Sequence, residues 1–272
     1  MHKQRWITGL VALPFIILLV YATTPMFFAI FLCLVAVVSL WEYFRIIFAK
    51  GAGREVVPMQ AVAYLAASTM LVAAGAGRIP MIGVLISVAL VLLAGISLRY
   101  FKDDMGVIET IIKVAFSLVY IPLSLACLAL LKFHPHGAAE IFFILCIVAG
   151  GDVGAFYSGT YLGKHKLCPA VSPKKTIEGS LGGLAVNLLI GLVFNLFFLP
   201  GTPLWGCLLI AVCGGIAGQV GDLFESEFKR AAGVKDSGVI LPGHGGLLDR
   251  IDALLLATPL AYLLMIAIFS PQ

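Results

Sequence analysis

The sequence predicts an all-α, polytopic integral membrane protein of about nine transmembrane helices, with the N-terminus cytoplasmic and the C-terminus outside. Composition is the first reason. Of 272 residues, 61% are hydrophobic and 12% charged, against about half and about a quarter in a soluble domain. Run length is the second. The apolar residues fall in stretches of about 20 without two-residue alternation, which suits helices and not porin-type strands. The third is the placement of basic residues, taken up below.

Nine runs stand out, at 6–24, 26–48, 58–76, 80–98, 108–131, 138–162, 180–200, 204–227 and 247–270. The first follows a basic start, "MHKQRW", as a secretory signal does. Further spans follow at once and no A-x-A site precedes Pro25, so it is expected as a retained first span. Most connections are short, such as "TTP" and "PGTP". Two are long and polar: "GKHKLCPAVSPKKTIEG" and "KRAAGVKDSGVILPGHGG". No soluble domain is inserted and no internal repeat is evident, which counts against a duplicated transporter. A single membrane domain is expected, with N-terminal helices over 1–135 and catalytic helices and cytoplasmic loops over 136–272. Of six cysteines, five lie in apolar runs and none forms a CxxC pair, so they read as small buried hydrophobes.

Nine spans place the termini on opposite sides. With a cytoplasmic N-terminus, that side receives Lys3, Arg5, Arg45, Lys50, Arg54, Arg99, Lys102, Lys164, Lys166, Lys174, Lys175, Lys229, Arg230, Lys235 and Arg250, which is 15 of the 18 basic residues. Arg78 and Lys132 fall outside and Lys113 lies within a span. This positive-inside bias brings both long loops to the cytoplasm.

Carboxylates inside spans are costly and tend to mark a site. Asp152 lies in "VAGGDVGAFYSG", Asp222 and Glu225 in "GQVGDLFESEFKR", and Asp249 and Asp252 in "GGLLDRID". Asp222, Glu225, Ser226 and Lys229 recur at helical spacing and share a face, as do Asp249 and Asp252. Two such faces can meet around Mg²⁺, which takes one or two carboxylates and fills its shell with water and phosphate oxygens. The alternative is a set of interfacial ion pairs, for example Arg250 with Asp222. In "PGHGG", Gly245 and Gly246 lack Cβ atoms, so a phosphate can approach backbone N–H groups at a helix start, with His244 beside it. In the other loop, Pro169 and Pro173 stiffen the chain around Ser172, Lys174, Lys175 and Thr176. Lysines there can meet phosphate as point charges, or else anionic lipid headgroups in a solvated basic loop, which would account for Lys164 and Lys166. Acids suited to Mg²⁺, several basic residues and a glycine-rich helix entry at one membrane face fit a polyphosphate meeting a lipid-borne phosphate.

At residues 226–252, "SEFKRAAGVKDSGVILPGHGGLLDRID" resembles the signature of the phosphatidate cytidylyltransferase (CDP-diacylglycerol synthase) family. Ser226, Lys229, Arg230, Lys235, Asp236, His244, Gly245, Gly246, Asp249, Arg250 and Asp252 all fall on its pattern. Upstream, the D-x-x-A-[YF] segment at Asp152 and "SPKKTIEG" resemble the family too. The likeness is strong over 150–255, and before about residue 100 only hydropathy is recognisable.

The resemblance implies a bacterial inner-membrane enzyme that joins CTP to phosphatidate, giving CDP-diacylglycerol and pyrophosphate. It implies Mg²⁺, with a monovalent ion such as K⁺ beside it, an all-helical fold and a homodimer; no nucleic-acid partner is expected. Asp222 and Asp249 match the positions associated with the metal, and Asp152 and Asp252 are expected to orient the charged set or to complete the ion shell. The chemistry of the residues agrees. A phosphate monoester has a second pKa of about 6 and is already ionised at neutral pH. It needs its repulsion from a second anion suppressed, not a strong base. Lys229, Arg230, Lys235 and Arg250 are expected to handle phosphate charge. Ser172, Lys174, Lys175 and Thr176 are expected to cover the nucleotide or the lipid phosphate. A transporter would carry its acids nearer the midplane. A CTP-dependent lipid kinase shares the substrates but releases CDP. The D-G-x-x-A-R pattern of CDP-alcohol phosphotransferases and the D-x-x-x-D loops of polyprenyl transferases are not found.

Overall fold

The computed structural model describes residues 14–49, 51, 53–102, 105–238, 240 and 245–269. Among them, eight helices are long and apolar enough to cross a membrane, and each falls on one of the runs read from the sequence. Of the first run, residues 14–22 are described and helical; the rest lies outside the described residues. Internal contacts divide the chain into two units, Met1–Phe133 with Ala231–Asp249, and His134–Arg230 with Arg250–Gln272.

The first unit holds α1 (residues 14–22), α2 (Pro25–Ile47), α3 (Val56–Gly75), α4 (Ile79–Tyr100), α5 (Val107–Leu118) and α6 (Ser124–Leu130). Thr24 starts α2 by accepting the Phe27 N–H at 3.3 Å, with Pro25 in the first turn where its missing N–H is harmless. A π turn at Val119–Leu123 joins α5 to α6 around Pro122, whose missing N–H and ring bulk forbid an ordinary turn. The span ends in a 3₁₀ turn at Leu131–Phe133. The core is Tyr43, Met59, Met70, Leu71, Leu93, Leu118 and Tyr120, all buried. Tyr43 keeps its hydroxyl satisfied by donating to the Lys113 carbonyl at 3.1 Å. Lys113, the lysine within a span, pairs with Glu109 one turn before it at 2.6 Å and is partly exposed. Lys132 donates to the Val20 carbonyl at 2.6 Å.

The second unit holds α7 (Gly137–Leu162), a β-hairpin, α8 (Ile177–Phe197), most of α9 (Leu204–Ala232) and most of α10 (Leu248–Phe269). The hairpin, β1 (Lys166–Cys168) with β2 (Ser172–Thr176), adds a small element to the all-α expectation. Pro169 opens its turn and Pro173 lies within β2, where the extended backbone that proline favours is that of a strand. Thr176 closes β2 and opens α8, its hydroxyl accepting the Gly179 N–H at 3.1 Å. Glu178 then reaches back to the N–H of Lys164 at 3.0 Å and to His165 Nδ1 at 2.6 Å. Helices α7 and α8 pack through glycine. A Cβ on Gly154 would lie 3.1 Å from the Gly182 carbonyl, and one on Gly183 would lie 2.7 Å from the Gly151 carbonyl. Such close backbone approach is how helices associate where lipid removes the hydrophobic drive. Phe143 and Phe194 stack further along the same pair, 4.9 Å apart. All six cysteines are free thiols.

Candidate active site

Within the second unit, α7, the hairpin, α8 and α9 surround a cavity of about 510 Å³. Its apolar wall is Ala155, Phe156 and Leu167. Its polar wall is Asp152, Thr160, Lys166, Lys174, Lys175, Thr176, Ser180, Gln219 and Asp222. Three lysines and two aspartates thus share one concavity in a chain that is 12% charged. Lys175 Nζ lies 2.5 Å from Asp222 Oδ2, a charge-assisted bond that ties the hairpin to α9. Gln219, one turn before Asp222, donates from Nε2 to the Ser180 carbonyl at 3.1 Å and accepts the Ser180 hydroxyl on Oε1. Arg230 Nε donates to the Val171 carbonyl at 3.3 Å, fastening the turn of the hairpin to the end of α9.

Asp222 has acidic neighbours from two other helices. Asp152 of α7 lines the same cavity, and Asp252 of α10 packs against Gly221, the residue before Asp222. Gly221 is the reason that α9 and α10 come this close. A Cβ there would stand 2.7 Å from the Asp252 carbonyl oxygen and 3.2 Å from Ala253 Cα. Ser226 lies one turn on, with its hydroxyl 3.5 Å from Asp222 Oδ1. Lys229 pairs with the buried Glu225. Among the described residues no three His, Cys, Asp or Glu side chains converge closely enough to hold a metal alone. The donor chemistry nevertheless fits Mg²⁺, which takes one or two carboxylates and completes its shell from water and substrate. Asp222 already presents its oxygen to a cation, the Lys175 ammonium.

The first unit holds the other half of the signature. Asp249 accepts the N–H of Ser237 at 3.0 Å and of Gly246 at 2.8 Å. Gly245 has a left-handed backbone, φ +79°, and a Cβ on it would stand 2.6 Å from Asp249 Oδ2. A Cβ on Gly246 would stand 2.5 Å from the oxygens of Glu42, a buried carboxylate of α2. Both glycines therefore make room for protein carboxylates. Glu42 accepts the Ser237 hydroxyl at 3.0 Å, the Leu247 N–H at 3.0 Å and the Leu248 N–H at 2.7 Å.

The cytidylyltransferase family model matches residues 3–268, nearly the whole chain. The chain belongs to the cytidylyltransferase family. Similar curated proteins include the phosphatidate cytidylyltransferase of Staphylococcus saprophyticus, 47% identical over 133 residues, which is 49% of this chain and 51% of that one. That of Staphylococcus epidermidis is 47% identical over 131 residues, 48% of this chain and 50% of the relative. That of Bacillus subtilis is 44% identical over 135 residues, 50% of each. The aligned part of this chain spans about half the length of the curated relatives it matches.

In this cytidylyltransferase-family chain the sequence-selected residues fall into two sets. Lys174, Lys175, Thr176, Asp152 and Asp222 line the cavity of the second unit. Ser226 adjoins Asp222, Asp252 lies against Gly221 beside it, Lys229 pairs with Glu225, Arg230 holds the hairpin turn, and Ser172 pairs with Cys168 within the hairpin. Arg250 is an exposed residue at the start of α10. Lys235, Gly245, Gly246 and Asp249 belong to the first unit. His244 lies outside the described residues. For Glu225 the ion-pair alternative holds, since it pairs with Lys229. Lys166, which the sequence fits to a solvated loop, is exposed and also lines the cavity. Gln219, Ser180 and Glu42 escape the sequence reading. The signal for Glu42 was available, because an acid inside a span is costly wherever it occurs.

Proposed function

We propose that this chain is a phosphatidate cytidylyltransferase, transferring CMP from CTP to phosphatidate to give CDP-diacylglycerol and pyrophosphate. The observation that carries the reading is the cavity in which Lys166, Lys174 and Lys175 face Asp152 and Asp222. Cations for phosphate and carboxylates for Mg²⁺ are what a reaction between two phosphate-bearing substrates requires. The curated relatives bear this name, and the family covers the same residues.

An ionised oxygen of the phosphatidate monoester attacks the α-phosphorus of CTP. The α–β bridging bond breaks, and pyrophosphate leaves with the bonding pair. No proton need be removed first. Lys166, Lys174 and Lys175 lower the repulsion between the two anions and hold them for in-line attack. Asp222 sets Lys175 and, with Asp152 and Asp252, makes the carboxylate set for Mg²⁺. When bound, Mg²⁺ spreads the charge of the transferring and leaving phosphates. Ser226, Lys229, Arg230, Lys235, His244, Arg250 and the glycines 245 and 246 are assigned to substrate phosphates, and Asp249 to the metal, on the signature motif. Mg²⁺ dependence, a K⁺ ion beside it and a homodimer come into this reading from the resemblance. The distribution of basic residues supports an active site at the cytoplasmic face of a bacterial membrane.

Purified protein given phosphatidate in mixed micelles, CTP and Mg²⁺ should form pyrophosphate and CDP-diacylglycerol in equal amounts, and folded Asp222→Asn should form both about 10²–10³ times more slowly. Release of CDP in place of pyrophosphate would make the protein a lipid kinase.

A further inference from the structure

We infer that Glu42, on a helix far from the signature in sequence, is a positioning residue that fixes Asp249. Glu42 is wholly buried in the first unit, where a carboxylate persists only if its lone pairs are used. Among the described residues they are used on one segment: the Ser237 hydroxyl at 3.0 Å, the Leu247 N–H at 3.0 Å and the Leu248 N–H at 2.7 Å. Asp249 works on the same two ends of that segment. It takes the backbone N–H of Ser237 at 3.0 Å and that of Gly246 at 2.8 Å. Each carboxylate therefore bridges residue 237 to residues 246–248, and Ser237 is shared, its hydroxyl going to Glu42 and its N–H to Asp249. The close fit of Gly238 and Gly246 against Glu42 leaves no room for a side chain at either glycine. With Glu42 removed, the Ser237 hydroxyl and the first N–H groups of α10 lose their acceptor, and the frame that orients Asp249 loses one of its two braces. This gives the N-terminal helices a role in the chemistry, although they carry none of the signature.

The inference rests on the assignment of Asp249 to the metal, and the test separates the two. Amide hydrogen exchange is measured on the full chain in detergent for the wild type, Glu42→Ala, Glu42→Gln and the control Glu55→Gln. Glu55 is another buried carboxylate of the first unit, accepting the Thr110 hydroxyl at 3.1 Å. In Glu42→Ala, exchange should quicken at least about tenfold at Leu247 and Leu248 and also at Ser237 and Gly246, whose acceptor is Asp249. Glu42→Gln should fall between, because an amide oxygen still accepts an N–H. The control should leave these four amides unchanged. The Mg²⁺ concentration for half-maximal turnover should rise about 10- to 100-fold in Glu42→Ala, as for the loss of a group supporting a metal ligand. Should Glu42→Ala fail to fold, Ser237→Ala removes the shared hydroxyl alone and should shift both readouts the same way by less. Faster exchange confined to Leu247 and Leu248, with Mg²⁺ dependence unmoved, would overturn the inference and leave Glu42 a local cap. Equal loosening of the four amides in the control would overturn it as well. A wild type that transfers no cytidylyl group would defeat the proposed function, while the exchange pattern would still decide the clamp.

Discussion

Lys175 Nζ stands 2.5 Å from Asp222 Oδ2, joining a β-strand to a membrane helix across 47 residues of sequence. Neither side chain is buried outright; each keeps about 30% of its surface, 28% for the lysine and 30% for the aspartate. A pair so exposed contributes little to stability. Its value lies in placement. The bond holds an ammonium and a carboxylate together at the edge of the cavity, and in the proposed function each exchanges its partner for a phosphate or a metal.

Removing either partner should therefore harm catalysis far more than folding. Lys175→Ala and Asp222→Asn are each expected to lower kcat by about 10²–10³, as for the loss of one electrostatic stabiliser, with melting temperatures near wild type. Steady-state turnover beside thermal melting in detergent tests this.

The approach of α9 to α10 depends on Gly221 having no side chain. Gly221→Ala puts a methyl 2.7 Å from the Asp252 carbonyl, which only a separation of the two helices can relieve. Overpacking of this kind costs about 1–3 kcal/mol. The variant should melt earlier, and its Mg²⁺ requirement should rise because Asp222 and Asp252 move apart. Gly233→Ala, where no atom lies within 4 Å of the added carbon but φ is +75°, should lose stability through backbone strain with the Mg²⁺ requirement unchanged.

Thr176 ends the hairpin and caps α8 through the Gly179 N–H. Thr176→Ala should cost about 0.5–2 kcal/mol, and Thr176→Ser should restore most of it, because serine carries the same acceptor. Denaturation midpoints of the two variants decide this.

His134, between the helical spans, bonds Glu140 at 2.7 Å. That hydrogen bond, joined by the attraction of the carboxylate, holds its pKa above the ordinary histidine value against the opposing effect of burial. A raised folded pKa means that the pair's stabilisation is fully present below the ordinary value and is lost as pH rises through the folded one. The melting temperature of the wild type should exceed that of Glu140→Gln most at acidic pH, and the gap should close on going alkaline.

How much of this the sequence discloses depends on the reach of each interaction. The membrane spans are legible because lipid imposes a length and a composition on every helix, and the eight runs from 26–48 onward fall on the eight described spans. The acids Asp152, Asp222 and Asp252 are legible for the same reason. The hairpin is not, because "KLC" and "SPKKT" have no hydrophobic alternation and are held by Glu178, Arg230 and Asp222 from elsewhere. The braces on the signature loop are not legible either. Nothing in "WEYFR" points to Ser237, some 195 positions away, and nothing in "PGHGG" shows that its glycines pack against the chain's own carboxylates.

The central claim is that the chain moves a cytidylyl group and not a terminal phosphate. The most direct measurement supplies phosphatidate and Mg²⁺ with CTP carrying a radiolabel at either the α- or the γ-phosphate, and counts label in the lipid phase. The α-label should enter lipid in amounts equal to the pyrophosphate released, the γ-label should leave wholly with pyrophosphate, and Asp222→Asn should slow both about 10²–10³-fold. Label from the γ-phosphate in lipid, or none from either position with folded protein, would contradict that claim.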